Sequence, residues 1–322
     1  MATLADPFAR NLNYLRVSVT DRCNLRCTYC MPADMTCLPQ DTLLTDHEIV
    51  TIVQAMSTLG LDTVRITGGE PLVRQGCSEL IGRLKALPSM KRVLLTTNGV
   101  YLNQHIHELA RHGIDGINIS LDAVERDVYT TITGRDYLDA VLAGIHQAVE
   151  LGIKVKLNCV ALKSINESQI AGLADFANKL PVDVKFIELM PSGACQNIEG
   201  ITGQDVRSRL STIYGELHPH HNPNGLGPAT YYKTPTMRGS VGFIEPMSHS
   251  FCATCNRLRL TAEGYLRLCL YHNDGVNLKD MLRGGADATA IATAIQTAVK
   301  NKPKQHHFNE KAGFETMSNI GG

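Results

Sequence analysis

Six short runs rich in β-branched residues, most of them with one polar and one apolar face, constrain this chain more than any other feature. They lie at Tyr14–Thr20, Thr63–Thr67, Arg92–Thr97, Gly116–Leu121, Lys154–Val160 and Asp183–Leu189. Helical patterns separate them. The clearest spans Asp46–Leu59, which opens on a Thr45-x-x-Glu48 capping box and carries an apolar stripe of Ile49, Ile52, Val53 and Met56. Such alternation predicts parallel strands joined by helical crossovers.

Successive strand side chains point to opposite faces. Arg16, Ser18 and Thr20 alternate with Leu15, Val17 and Val19, and Arg65 and Thr67 with Val64 and Ile66. Asn118, Ser120 and Asp122 alternate with Ile117, Ile119 and Leu121, and Lys156 and Asn158 with Val155 and Leu157. A filled eight-stranded barrel packs branched apolar residues inside, and parallel sheets are usually covered on both faces. A repeated polar face therefore predicts an α/β fold, an incomplete parallel (β/α)₆ TIM-like barrel around a wet, ligand-filled interior. A sheet with one solvated face is the alternative, and the regular crossovers oppose it.

After Met190 the texture changes. Residues 191–201 and 222–228 read as loops, Arg257–Thr261 and Tyr265–Cys269 as a hairpin turning at Glu263-Gly264, and Ala286–Lys300 as a helix. Residues 1–190 are expected to form the partial barrel. Residues 191–322 are expected to form a smaller C-terminal cluster-binding extension that covers its open side.

Six of the ten cysteines fall into two groups. Cys23, Cys27 and Cys30 are spaced C-x3-C-x2-C; Cys252 and Cys255 form C-x2-C, with Cys269 following. A closed zinc site takes four ligands and a catalytic one keeps a position open. Two groups of three point to two iron–sulfur clusters, each with one iron lacking a protein ligand. A split zinc site and disulfides are the alternatives, but six thiols overfill one zinc, and disulfides need an oxidising compartment. The first residues carry no apolar leader pattern and no apolar run reaches membrane-spanning length, so a cytoplasmic protein is expected. Cys37, Cys77, Cys159 and Cys195 read as ordinary small apolar residues. His218, His220 and His221 sit in a loop at a spacing that fits no metal site.

Lys plus Arg number 31 and Asp plus Glu 31, so no net charge favours nucleic acid or membrane partners. An anionic ligand must then meet locally clustered cations, and no P-loop is present to cradle phosphates. Arg257 and Arg259, two apart on a strand, share a face. Arg16, Arg65 and Lys156 lie on the polar strand faces, and arginine forks suit phosphate oxygens.

The three-cysteine loop with Tyr29 before its last thiol, together with Thr67-Gly68-Gly69-Glu70-Pro71, resembles the radical S-adenosylmethionine enzymes. Arg16, the run Cys252-Ala253-Thr254-Cys255-Asn256-Arg257-Leu258-Arg259, Cys269 and the terminal Gly321-Gly322 narrow this to the GTP 3′,8-cyclases of molybdenum cofactor biosynthesis, essentially end to end. The resemblance implies two [4Fe-4S] clusters and S-adenosylmethionine as cofactors. It implies reductive cleavage at the first cluster, and a 5′-deoxyadenosyl radical that takes hydrogen from C3′ of GTP. The C3′ radical then attacks C8, giving 3′,8-cyclo-7,8-dihydro-GTP.

By the same resemblance, Tyr29, Gly68, Gly69, Glu70, Ser120 and Met190 face S-adenosylmethionine. Arg16, Arg65, Thr96, Lys156, Arg257, Leu258 and Arg259 carry GTP. Arg257, Arg259, Gly321 and Gly322 serve the chemistry, the last two by threading into the cavity. The partners implied are an electron donor and a downstream cyclic pyranopterin monophosphate synthase. The sequence is compatible with a homodimer and fixes no oligomeric state. A radical enzyme acting on a peptide through an auxiliary cluster, and a zinc-binding interaction module, are the rival readings.

Overall fold

The computed structural model describes residues 3–31, 35–191, 195, 197–222 and 227–306. All six runs form strands: β1 (Tyr14–Ser18), β2 (Thr63–Thr67), β3 (Arg92–Thr97), β4 (Gly116–Ser120), β5 (Val155–Ala161) and β6 (Asp183–Glu188). Between them lie α1 (Asp46–Thr58), α2 (Cys77–Lys85), α3 (Leu102–Arg111), α4 (Arg126–Thr133), α5 (Leu138–Glu150) and α6 (Ile170–Lys179). Helix α7 (Gly203–Tyr214) follows β6. The rest comprises β7 (His218–Pro219), β8 (Thr230–Lys233), β9 (Ser240–Ile244), β10 (Arg257–Leu260), β11 (Tyr265–Arg267), β12 (Gly275–Asn277), α8 (Leu278–Arg283) and α9 (Ala288–Val299).

The strands make one sheet in the order β12-β11-β10-β1-β2-β3-β4-β5-β6-β9-β8-β7. Strands β1 to β6 pair in parallel in sequence order. The residues after 190, expected to cover the open side, prolong the sheet at both edges and line the cavity between them. Strand β9 pairs in parallel with β6, and β10 in parallel with β1. Antiparallel strands then finish each edge. Tyr231 and Ile244 from one flank line the same cavity as Arg257 and Arg259 from the other, so the sheet curls into an incomplete barrel.

Period two sorts the side chains. Val17, Val64, Ile66, Ile119 and Leu157 are fully buried on the outer face, against Ile49, Ile52, Met56, Leu80, Ile106, Ile145 and Leu173 of the helices. Their polar neighbours turn inward. Helix α1 begins where the capping box places it, with both reciprocal bonds between Thr45 and Glu48 present. Among the described residues no helix is long and apolar enough to cross a membrane.

Truncating Ile52, which is fully buried in α1, should destabilise the fold by about 2–5 kcal/mol through lost burial and a residual cavity. Thr45→Ala should cost about 1 kcal/mol, the value of one N-cap. Urea unfolding of the two variants side by side checks both values.

Candidate functional site

The inward polar faces enclose a cavity of about 420 Å³. The two cysteine groups lie at opposite ends of it. The loop carrying Cys23, Cys27 and Cys30 follows the carboxyl end of β1, whereas Cys252 and Cys255 precede β10, which runs parallel to β1. Cys269 follows β11, antiparallel to β10, and so returns to the same amino-terminal end. All six cysteines line the cavity.

The first loop is held by main-chain ladders. Arg26 N and Thr28 N donate to the Thr133 and Ile132 carbonyls at the end of α4, each at 2.9 Å. Gly69 N donates to Thr20 O at 2.7 Å, and Glu70 N to Arg22 O at 2.8 Å. A Cβ on Gly69 would lie 2.4 Å from Arg22 O, and one on Gly68 2.6 Å from Thr20 O. Both glycines therefore let the second loop lie flat on the chain entering the cysteine loop.

Gly68 and Gly69 line the cavity, but Glu70 stands behind them. Its fully buried carboxylate accepts from Leu72 N (2.9 Å), Thr97 Oγ1 (2.7 Å) and Asn98 N (2.6 Å). Burial pushes its pKa up to about 7 against those hydrogen bonds. Tyr29 reaches across the sheet and donates to Asp122 Oδ2 at 2.6 Å, while Val160 N donates to Oδ1 at 2.8 Å. Burial raises Asp122 to about 6.

Burial also raises the thiols of Cys23 and Cys27 and pushes Cys30 to about 12. Such thiols become thiolates only beside a bound cation, as coordinating iron provides. These three thiols edge an open cavity. A multi-iron cluster, with a position left for a ligand, fits that arrangement. At the far end burial would raise Cys255, but Arg257 and Lys302 outweigh it and lower its pKa. The Arg257 guanidinium lies 5.1 Å from the centre of the Phe251 ring.

Between the two ends stand cations. Arg16 is in register with Arg65 on one side and Arg259 on the other. Burial, then Arg259, holds Arg16 well below its ordinary pKa; burial, then Arg257, brings Arg259 to about 10. Arg65 donates to Tyr14 Oη at 2.5 Å, to Leu95 O at 3.0 Å and to Thr96 Oγ1 at 3.3 Å. Lys156 pairs with Asp183 at 3.2 Å.

Thr96, Ser120 and Met190 also line the cavity. The Leu258 side chain turns away into the core at 1 % exposure, leaving only its main chain on the strand. Gly321 and Gly322 lie outside the described residues.

Sequence reasoning passed over three cavity groups. Lys185 is 6 % exposed, and nothing among the described residues accepts from its Nζ. Burial, then Arg65 and Lys156, depresses its pKa strongly. Its strand, Asp183–Glu188, does not alternate cleanly, which hid it. Asn158 Oδ1 is buried with no hydrogen-bond partner among the described residues. Cys195, read as an ordinary apolar residue, lines the cavity beside Cys30 and donates to Tyr29 O at 3.0 Å. Cys37 is exposed; Cys77 and Cys159 are buried. His218 lies on the exposed strand β7, away from the cavity.

The profile of the Radical SAM superfamily matches residues 17–177, and that of Molybdenum Cofactor Synthesis C matches 182–308. A GTP 3′,8-cyclase of Pelotomaculum thermopropionicum is 42% identical, covering 99% of this chain and 100% of that one. GTP 3′,8-cyclase 2 of Pseudomonas aeruginosa is 39% identical over 99% and 98%. Among solved structures, Streptococcus suis SuiB bound to precursor peptide SuiA superposes with a TM-score of 0.66 at 16% identity, covering 98% of this chain and 76% of that one. That likeness concerns the fold alone. With relatives this similar along the whole chain, the protein belongs to the GTP 3′,8-cyclase family of radical S-adenosylmethionine enzymes.

Proposed function

We propose that the cavity converts GTP to 3′,8-cyclo-7,8-dihydro-GTP, an early step of molybdenum cofactor biosynthesis, with the six clustered cysteines holding two [4Fe-4S] clusters. The observation that carries this reading is the bank of buried cations between two cysteine groups at opposite ends of one cavity. A polyanion bound there reaches toward both ends. The residues after about 190 form the part of the chain that supplies the second group, and residues 1–190 supply the barrel.

When bound, a cluster at Cys23, Cys27 and Cys30 supplies the electron that cleaves S-adenosylmethionine. The chain's own groups do the rest by positioning. Gly68, Gly69, the Tyr29 main chain, Ser120, Met190 and Asn158 hold S-adenosylmethionine at the carboxyl end. Glu70 acts one step back, by fixing the loop that presents the two glycines. Arg16, Arg65, Lys156 and Thr96, with Lys185, hold the triphosphate. Arg257, Arg259 and the Leu258 main chain hold the guanine toward the second group, and Gly321 and Gly322 complete that end.

Rigid strands fix C3′ against the hydrogen acceptor, and the surrounding core keeps water from competing. An electron donor, a downstream cyclic pyranopterin monophosphate synthase and a cytoplasmic setting belong to the same reading. So does a homodimer. A peptide-modifying radical enzyme would have less use for so many inward cations.

Anaerobic reconstitution followed by dithionite and S-adenosylmethionine should release 5′-deoxyadenosine faster with GTP than with ATP or no nucleotide, matched by nucleotide product. Release indifferent to GTP would remove the substrate; no release from iron-loaded protein would remove the radical chemistry.

Lys185→Met should raise the KM for GTP about tenfold or more, since a charged hydrogen bond contributes about 1.5–3 kcal/mol. The same change should raise the melting temperature of ligand-free protein, because it removes one member of a repelling set. Asn158→Ala should weaken S-adenosylmethionine binding in calorimetry while leaving the GTP affinity close to wild type.

A further inference from the structure

Two buried basic side chains from the ends of the described chain converge on the second cysteine group. Arg10, 8 % exposed, is aligned by Asp6, whose Oδ2 accepts from Nε at 2.5 Å. Its Nη1 donates to the Cys252 carbonyl at 2.8 Å and to Lys304 O at 3.0 Å, and its Nη2 to Pro303 O at 2.6 Å. Lys302, 4 % exposed, lines the cavity. Its Nζ donates to Arg257 O at 3.1 Å and to Leu268 O. Those two carbonyls lie two residues after Cys255 and one before Cys269, so a single ammonium bridges the two arms that carry these thiols. Arg10 fixes both the third arm, at Cys252, and the segment from which Lys302 projects.

The ionisable groups around the two differ: buried acids flank the first, buried bases the second. Cys27 and Cys30 face the buried Asp122, and Cys23 faces the buried Glu70; Arg26, on the surface, donates to the Cys23 carbonyl. Cys255 faces Arg257 and Lys302, and Cys269 faces Arg259 and Lys302. Nearby net charge and hydrogen bonding set a cluster's potential, and groups behind the ligands orient them.

We propose that Lys302 is a positioning residue for the second cysteine group, clamping its Cys255 and Cys269 arms and holding a fixed positive charge there, so that the cluster bound at this group is reduced at a higher potential than the one at Cys23, Cys27 and Cys30. Arg10 sets Lys302 in place. The inference rests on the reading of the second group as a cluster site. It gives the two ends of the cavity different electronic tasks: a strong reductant at one, a substrate anchor that does not compete for its electron at the other.

The test uses full-length protein reconstituted anaerobically, with each cluster isolated by replacing the other group's three cysteines by serine. Redox titration followed by electron paramagnetic resonance reads the two potentials. The second cluster should titrate above the first. Lys302→Gln, which keeps a donor to the carbonyls and removes the charge, should lower the second potential; Lys302→Arg should restore most of it.

Lys302→Met, lacking donor and charge, should release its iron to a chelator several-fold faster than the parent. A second potential equal to or below the first, or one unmoved in Lys302→Gln, overturns the charge assignment. Parent-like iron release by Lys302→Met overturns the clamp, and should that variant not fold, the release rate of Arg10→Met decides the same point. If the parent carrying only the second group takes up no iron, the cluster reading fails and takes this inference with it. An iron-loaded site indifferent to Lys302 sinks the inference alone.

Discussion

The constraint on which the rest depends is the burial of several like charges around one cavity. Arg16, Arg65 and Arg259 stand side by side in register on three adjacent strands, and Lys156 and Lys185 face them across the cavity. Lys156 pairs with the Asp183 carboxylate, while Arg65 leans on a phenol and a carbonyl. Two unit charges 4 Å apart repel by about 4 kcal/mol even at an effective dielectric of 20. A barrel with an apolar interior would be more stable. What makes this one tolerable is the outer shell of branched residues against helices, which contributes enough burial to hold a repelling interior in shape.

The geometry of the strands then sets what can relieve that repulsion. Strand β1 runs from Tyr14 to Ser18, and at about 3.3 Å per residue the two cysteine groups it separates lie on the order of 15 Å apart. A compact anion such as inorganic phosphate would satisfy the cations and touch neither end. A nucleoside triphosphate is long enough to set its phosphates on the cations while its base reaches the second cysteine group. Charge and length thus suit a nucleoside triphosphate, and Asn158 Oδ1 and Arg257 Nε are buried with no hydrogen-bond partner among the described residues.

The barrel was legible because its strands alternate. Leu15, Val17 and Val19 can share a face only in a strand, and the placement of Arg16, Arg65 and Lys156 inside follows from the same period. What stayed hidden has physical reasons. Strands β9 and β10 are short, and their partners β6 and β1 are far away in sequence, so neither pattern nor proximity announces the pairing. Lys185 sits in Asp183-Val184-Lys185-Phe186-Ile187-Glu188, where polar and apolar residues do not alternate by face. Glu70 looked like a ligand group; three donors already converge on it, and only coordinates reveal that its carboxylate is a strut. The Tyr29–Asp122 bond joins residues 93 apart and leaves no local trace.

The two ends of the cavity also differ in how the chain builds them. The first cysteine group sits on one loop braced by α4 and by the turn after β2, through contacts within the first half of the chain. The second requires three segments at once: residues near Asp6 and Arg10, the stretch from Cys252 to Cys269, and the segment at Lys302 to Lys304. Arg10 and Lys304 are 294 positions apart. Closing so long a loop is entropically costly and slow unless the intervening structure has already folded. The second site therefore depends on the whole barrel, since β10 must dock on β1 for the arms to meet.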